Sequence, residues 1–444
     1  MRLHLHPGLR MRLIPTRAWL VFGTFLLSLL LYVDRTCIST AKDEIVSELA
    51  LSDKQWAWVL ASFAFGYALF QTPSGALADR LGGRAVLTTV VTLWSVFTGL
   101  TAAAWNFVSL LVVRFIFGAG EAGAFPGMAK VVYSWIPVRE RGLVKGINFS
   151  GSRVGAAVAM PLIAALIAAI GWKLTFIVLM VVGFGWAGFW WWWFRDDPRQ
   201  HRTLPKKELD YILVERQEGQ EGRLASRPDA AAGKPLLPQP LRVMALLRSG
   251  NLWLMMTQYF GSNFTFFFAL SWLYPYVKKK YTLDAVDAGF YAMMPLLAGA
   301  LGNVISGGLV DRLYRAGWLT WSRRAPAIIG FALAALGMVM SVQQATPLGA
   351  VAWLSVAIFG ADMTLSPSWS FCIDIGGPHA GAVSGTMNMA GNLGSAITAL
   401  AFAYLPESAR GNVAFFYTAA ALSGLAIVCW LLARPERKIQ SVES

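Results

Sequence analysis

Long apolar runs, each near 20 positions, recur along almost the whole chain and alternate with short polar segments. A helix that crosses a bilayer needs about 20 such residues, so each run predicts one span. Twelve are expected, over about 18–36, 55–78, 85–104, 107–130, 146–170, 173–194, 250–276, 287–310, 326–343, 348–372, 381–404 and 412–433. Residues 195–249 interrupt the pattern with prolines, many Lys and Arg, and the stretch "RPDAAAGKP". Within this segment "PKKELDYILVERQEG" (205–219) has the pattern of a short amphipathic helix. The segment divides the spans six and six, which predicts an N-terminal bundle over 1–194, a connecting loop over 195–249 and a C-terminal bundle over 250–444.

The two sets of six repeat one another. "SGALADRLGGR" after the second span is matched by "SGGLVDRLYRAG" after the eighth, each where the chain turns back. "RGLVKGINFSGSRVG" (141–155) entering the fifth span has a looser echo in "AGAVSGTMNMAGNLG" (380–394) entering the eleventh. Glycines three or four positions apart let helix backbones approach closely. Duplicated halves with a site at their interface are an architecture of secondary transporters.

Composition agrees with a membrane protein. Of 444 residues, 56% are hydrophobic and only 14% charged, with a mean hydropathy of +0.52. Soluble domains carry about 25% charged residues. The formal charge of +14 raises a nucleic-acid partner, but the distribution of Lys and Arg argues against one. With the N-terminus cytoplasmic, most of the 38 lie in cytoplasmic segments, and Arg35, Arg114, Lys130 and Arg153 fall within spans. That is the positive-inside pattern, with both termini inside. "MRLHLHPGLRMRLIPTR" lacks a following small-residue cleavage site, so the first span is expected to be retained, with Met11 an alternative start. The three cysteines are scattered and suggest neither a disulfide framework nor a metal site.

Charge inside a span is costly, about 2.5–3.5 kcal/mol at the helix centre, and marks a cavity with a task. "RFIFGAGEAGAFPG" (114–127) places Arg114 and Glu121 two turns apart on one face, about 10.5 Å along the axis, with Gly118 between them. Helix 4 runs inward, so the two lie roughly 10 and 21 Å below its outer end. Asp34 and Arg35 lie near the outer end of helix 1. Arginine stays protonated and offers a carboxylate a bidentate fork. A carboxylic acid in apolar surroundings can load and unload a proton. Together they are the parts of a proton-coupled anion carrier: Arg114 holds an anion, Glu121 holds a proton, and the glycine face leaves room. The alternative is a permanent bridge, Arg114–Glu121 or Asp34–Arg114, between helices 1 and 4.

"GALADRLGGR" resembles the helix 2–3 loop signature of the major facilitator superfamily, with its weaker copy at 307–315. Within it, "YVDRTCIS", "RFIFGAGEAGAFPG" and "WIPVRERGLVKGINFSGSRVG" resemble the anion:cation symporter group, which includes bacterial sugar-acid and hexuronate permeases. The resemblance implies an all-α fold of twelve spans in two pseudo-symmetric halves. It also implies proton coupling at Asp34 and Glu121 and anion binding at Arg35 and Arg114. Tyr67 and Gln71, one turn apart on helix 2, bind substrate hydroxyls or pack. Asn388 and Asn392 share a face of helix 11. "SPSW" is expected to break helix 10 and expose Ser366, Ser368 and Trp369; the resemblance favours these and Asn388 as the C-terminal side of a sugar-acid site. Arg153 and Asn148 are candidate site members. Asp362, midway along helix 10, is a hydrogen-bonded structural acid or a second titrating group.

Asp79, Arg80 and Arg84, with Asp311 and Arg312, are expected to pair as cytoplasmic gates that hold an outward-open state, with Glu140 and Arg141 as further partners. Topology anchoring is the alternative. The expected function is uptake of an organic anion with protons by alternating access in a bacterial inner membrane, as a monomer. A hexonate, hexuronate or aldarate is the expected substrate. Aromatic or dicarboxylic acids, exchange or export, and a ligand sensor are the alternatives. No enzyme chemistry and no cofactor are expected.

Overall fold

A computed structural model of the chain describes residues 15–213, 243–271, 273–283, 285–404 and 409–439. The expected "RPDAAAGKP" stretch and the basic residues before position 15 lie outside them. Helix 205–219 is described only in part: residues 206–213 are helical.

Among the described residues the long helices resolve into twelve limbs, with short helices at Lys42–Glu48, 206–213 and Val243–Leu247, and no strand is present. We number the limbs α1 to α12. α1 is Thr16–Thr40, and α2 and α3 are the two limbs of Asp53–Thr101. α4 combines Phe107–Glu121 with Ala124–Trp135, and α5 and α6 are the limbs of Arg141–Trp193. α7 combines Gly250–Ser271 with Leu273–Lys280; α8 is Ala285–Arg315 and α9 is Leu319–Val342. α10 combines Pro347–Met363 with Leu365–Gly376, α11 is Ala380–Tyr404 and α12 is Ala409–Leu432.

The reversals between α2 and α3 and between α5 and α6 turn on single glycines. Gly82 (φ 86°, ψ 164°) and Gly171 (φ 77°, ψ 161°) occupy backbone conformations that only glycine adopts readily. Among the described residues eight helical runs are long and apolar enough to cross a membrane by length and composition, and Lys54–Thr101 holds two of the expected spans.

The first six limbs and the last six pack in matching ways. α1 lies against α5 and α2 against α4; correspondingly, α7 lies against α11 and α8 against α10. The two groups meet along α2–α11 and α5–α8. A methyl on Gly75 would come within 2.2 Å of the Gly381 carbonyl oxygen, and one on Gly146 within 2.3 Å of that of Asn303. Those contacts lie toward the end of the bundle that carries the loops at 79–84 and 311–318, called here the basic end.

Two starts differ from expectation. α5 begins at Arg141 and α9 at Leu319, several residues before the apolar runs. Their first turns carry Lys145, Arg141 and Arg323, all buried. A hydropathy pattern places such residues outside a span; packing against neighbouring helices draws them in. α1 has no side-chain cap of its own. Instead Glu208, from 206–213, accepts the backbone N–H groups of Thr16 and Arg17 at 3.0 Å each, satisfying donors a helix start leaves open.

Candidate functional site

A cavity lies between the two groups of helices. Arg35, Tyr32, Tyr67 and Arg153 face it from one side; Tyr259, Asn263, Asp362, Asn388 and Asn392 face it from the other. Aromatic rings close it toward the basic end. Phe125 stacks on Phe149 with centroids 5.2 Å apart, and both lean on Trp369 at 5.7 and 5.5 Å. The Trp369 indole N–H donates to Tyr259 Oη at 2.8 Å.

Arg35 is the cation at the cavity wall. Its Nε donates to Glu121 Oε1 at 2.7 Å, and its guanidinium lies 4.4 Å from the Tyr67 ring centroid and 5.1 Å from those of Tyr32 and Phe63. The Arg35 NH2 nitrogen is buried without a hydrogen-bond partner, as is Glu121 Oε2. A buried unmet donor is expensive.

Arg114 is placed differently from expectation. It is 2% exposed, lies outside the cavity lining, and packs its guanidinium 4.4 Å from the Phe117 ring centroid and 5.2 Å from that of Phe63. Its Nε has no partner. Asp34 is buried behind the cavity, within reach of the charges of Arg114 and Glu121. The bridge between helices 1 and 4 is therefore Arg35–Glu121, not Arg114–Glu121 or Asp34–Arg114. Nor does the glycine face leave room for a ligand. A methyl on Gly118 would lie 2.2 Å from the Phe63 carbonyl oxygen, so that face seats α4 on α2.

Asp362 is paired. Arg153 on α5 donates from Nε at 2.7 Å and from NH2 at 2.5 Å to its two oxygens, joining the two groups of helices at the cavity. The Arg153 guanidinium also lies 3.5 Å from the Phe266 ring centroid.

The remaining expected residues divide. Tyr67, Asn388 and Asn392 line the cavity. Gln71 is fully buried beside it with both amide atoms unpaired. The break in α10 falls at Thr364, and Pro367 occupies the first turn of the following segment, where its missing N–H costs nothing. Ser366, Ser368 and Trp369 are therefore buried, contrary to expectation. Ser366 donates to the Gly142 carbonyl at 2.7 Å, tying α10 to α5, and Ser368 bonds to Gln258 and to the Thr364 carbonyl. Asn148 accepts from Thr24 at 2.9 Å and holds α5 to α1. Sequence reasoning missed Lys145, which is 1% exposed with its ammonium 4.8 Å from the Trp369 ring centroid. It also missed Asp374, which accepts from Arg141 and from Arg323.

At the basic end the expected gates use other partners. Asp79 accepts the backbone N–H groups of Gly381 and Ala382 at 2.9 and 2.8 Å, and Asp311 those of Gly142 and Leu143 at 2.9 and 2.8 Å. Each acid thus caps the first turn of a helix in the opposite group, where N–H groups are open and the helix dipole favours negative charge. Arg80 and Arg312 are exposed. Arg84 donates to the Trp191 carbonyl, Arg141 pairs with Asp374, and Glu140 accepts from Arg17 and Tyr211. The hydrogen bonds between the two groups described here, from Asp79, Asp311, Ser366 and Arg141, lie between Arg153–Asp362 and the basic end. That end is closed.

No group of three or more His, Cys, Asp or Glu among the described residues is placed to hold a metal ion. Comparison with known proteins gives the family. The sequence matches the Major Facilitator Superfamily over residues 24–399. It is 31% identical over 429 residues to the "Probable sulfoacetate transporter SauU" of Cupriavidus necator, covering 96% of each chain. It is 29% identical to the "Probable galactarate/D-glucarate transporter GarP" of Escherichia coli over 94% of each, and 28% identical to a hexuronate transporter of Bacillus subtilis over 84% of this chain and 85% of that one. The proton:xylose symporter XylE shares its fold, with a TM-score of 0.73 at 15% identity over 93% of this chain and 95% of that one. With twelve helical limbs in two matching groups around a charged cavity, the chain belongs to the major facilitator superfamily and is a multi-pass membrane transporter, not an enzyme.

Proposed function

We propose that this protein carries an organic anion, a sugar acid, across a membrane together with protons, by alternating access between residues 1–194 and 250–444. The observation that carries this reading is Arg35. It lines the cavity and keeps one buried guanidinium nitrogen without a hydrogen-bond partner, while Glu121 holds its Nε. Arginine supplies the fixed positive charge for a carboxylate, and Glu121 supplies an acid whose protonation would release Arg35 to the substrate. The named cargoes of the relatives (sulfoacetate, galactarate, glucarate and hexuronates) are all organic anions, which favours the same class.

In this reading the basic end faces the cytoplasm of a bacterial inner membrane, with both termini there, in keeping with the positive-inside pattern. The state described is then closed to the cytoplasm, with Asp79 and Asp311 holding it closed. Tyr67, Asn388 and Asn392 offer hydrogen bonds to the hydroxyls. Arg114 and Asp34 shape the field behind Arg35, and a single chain suffices.

The test is uptake of labelled galactarate into proteoliposomes with an imposed inward proton gradient. Accumulation that collapses with a protonophore is expected. Equal uptake with and without the gradient would leave a uniporter or exchanger and remove the proton.

A further inference from the structure

Asp362 and Arg153 have no place in the mechanism proposed above, yet they stand in the same cavity as Arg35. We propose that Arg153 is a second anion-binding group, so that the site takes a small organic dianion, one charged end on Arg35 and the other on Arg153. This rests on the reading of the chain as an organic-anion carrier and narrows its substrate class.

The two arginines are built alike. A guanidinium carries five N–H donors on its edges. In Arg35, Glu121 takes the Nε and the NH2 nitrogen is unmet. In Arg153, Asp362 takes the edge formed by Nε and NH2, and a long hydrogen bond of 3.4 Å runs from NH1 to Tyr32 Oη. The distal edge, NH1 with the second NH2 hydrogen, is left for another acceptor. Phe266 covers one face of the group and Asp362 fixes its side, so Arg153 is held in one orientation before any ligand arrives. Preorganisation of that kind lowers the cost of binding.

Spacing suits two anionic ends. Tyr32 lies between the arginines, its ring centroid 5.1 Å from the Arg35 guanidinium carbon and 5.7 Å from that of Arg153. The two guanidinium carbons are therefore no farther apart than those distances together. One small molecule with an anionic group at each end can therefore reach both. Across the cavity stand Asn388, Asn392, Asn263 and Tyr259. The Asn392 and Asn263 amide nitrogens are turned back onto the carbonyls of Asn388 and Tyr259, and their Oδ1 atoms can accept from substrate hydroxyls. Arg153 and Asn392 occupy equivalent positions in the repeated glycine stretches, so one half offers a cation where the other offers an amide.

The competing role for the pair is a latch between halves, which would affect every substrate equally. The test uses the full-length purified protein with galactarate as dianion and galactonate as a monoanion of the same length. Sulfoacetate serves as a second, shorter dianion. Affinities come from ligand-dependent melting shifts. A bidentate charged hydrogen bond is worth about 1.5–3 kcal/mol, or roughly 10–100-fold, so wild type should hold galactarate at least about 10-fold tighter than galactonate. Arg153→Gln combined with Asp362→Asn removes both charges and strands no buried acid. This double variant should bring the ratio to about one and leave galactonate within about threefold of wild type. Asp362→Asn alone should keep the preference. A preserved ratio in the double variant, or equal loss of both ligands, would overturn the proposal. If wild type binds galactonate as tightly as galactarate, the anion-carrier reading stands and the dianion assignment falls. If no organic anion binds at all, both fall.

Discussion

Arg35 on α1 and Glu121 on α4 form a hydrogen-bonded ion pair at 2.7 Å, and Arg114, two turns from Glu121 on the same helix, takes no part in it. Of the two arginines expected to bind the anion, Arg35 lines the cavity and Arg114 does not, so the proposed mechanism places the anion on Arg35. Arg35→Ala should weaken binding of the transported anion about 10–100-fold, the worth of a charge-assisted hydrogen bond. Arg35→Lys should recover little, because an ammonium lacks the fork. Arg114→Ala should cost affinity far less, since its guanidinium packs on Phe117 outside the cavity. Equal losses in the two alanine variants, by ligand titration, would refute this division.

Asp79 and Asp311 each clamp two backbone N–H groups at the start of a helix in the other half. An asparagine loses the charge that the helix dipole favours and keeps one good acceptor. Asp79→Asn and Asp311→Asn should each open the basic end more often, slow net transport, and leave substrate affinity within a few-fold. The check is a cysteine at Thr386, which faces Thr72 across the interface. It should react faster with a membrane-impermeant maleimide in inside-out vesicles of either variant, over a low background because Cys37, Cys372 and Cys429 are buried. Unchanged labelling would leave the two acids as topology anchors.

Gly82 and Gly171 share a backbone conformation but not an environment. A methyl on Gly82 would lie 2.5 Å from the Asp196 carboxyl carbon, whereas nothing stands within 4 Å of one on Gly171. Gly171→Ala should cost about 1–3 kcal/mol from backbone strain alone. Gly82→Ala should cost more, because it also displaces Asp196, which accepts the Arg84 N–H at 3.0 Å. Melting temperatures of the purified variants give the comparison, and a milder effect at Gly82 would contradict it.

The spans were legible because lipid demands a long apolar run for each one. The repeat was legible because Asp79 and Asp311 stand in matching short motifs. What those acids hold was not, since backbone N–H groups at Gly381 and Gly142 leave no trace in side-chain identity. Arg153 and Asp362 were each visible as charges in apolar surroundings. Their pairing, 209 residues apart, comes from helix packing that no local pattern encodes. Lys145 and Arg323 read as loop residues, because hydropathy cannot tell a solvated cation from one enclosed between helices. Gly118 misled for a related reason: a glycine beside charges reads as space for a ligand, and here the space is filled by the backbone of α2.

In the proposed mechanism Glu121 couples protons to anion movement, and Glu121→Gln separates that role from a structural one. The amide can still accept from Arg35 Nε, so the site keeps its shape, but it cannot release a proton. The measurement is counterflow of labelled against unlabelled galactarate beside uptake driven by a pH gradient, in the same proteoliposomes. The variant should still exchange substrate and fail to accumulate it, because the empty carrier cannot return without losing a proton. A variant that still accumulates galactarate against its gradient would contradict the claim, as would one that loses exchange together with uptake, the pattern of a bridge that only holds α1 to α4.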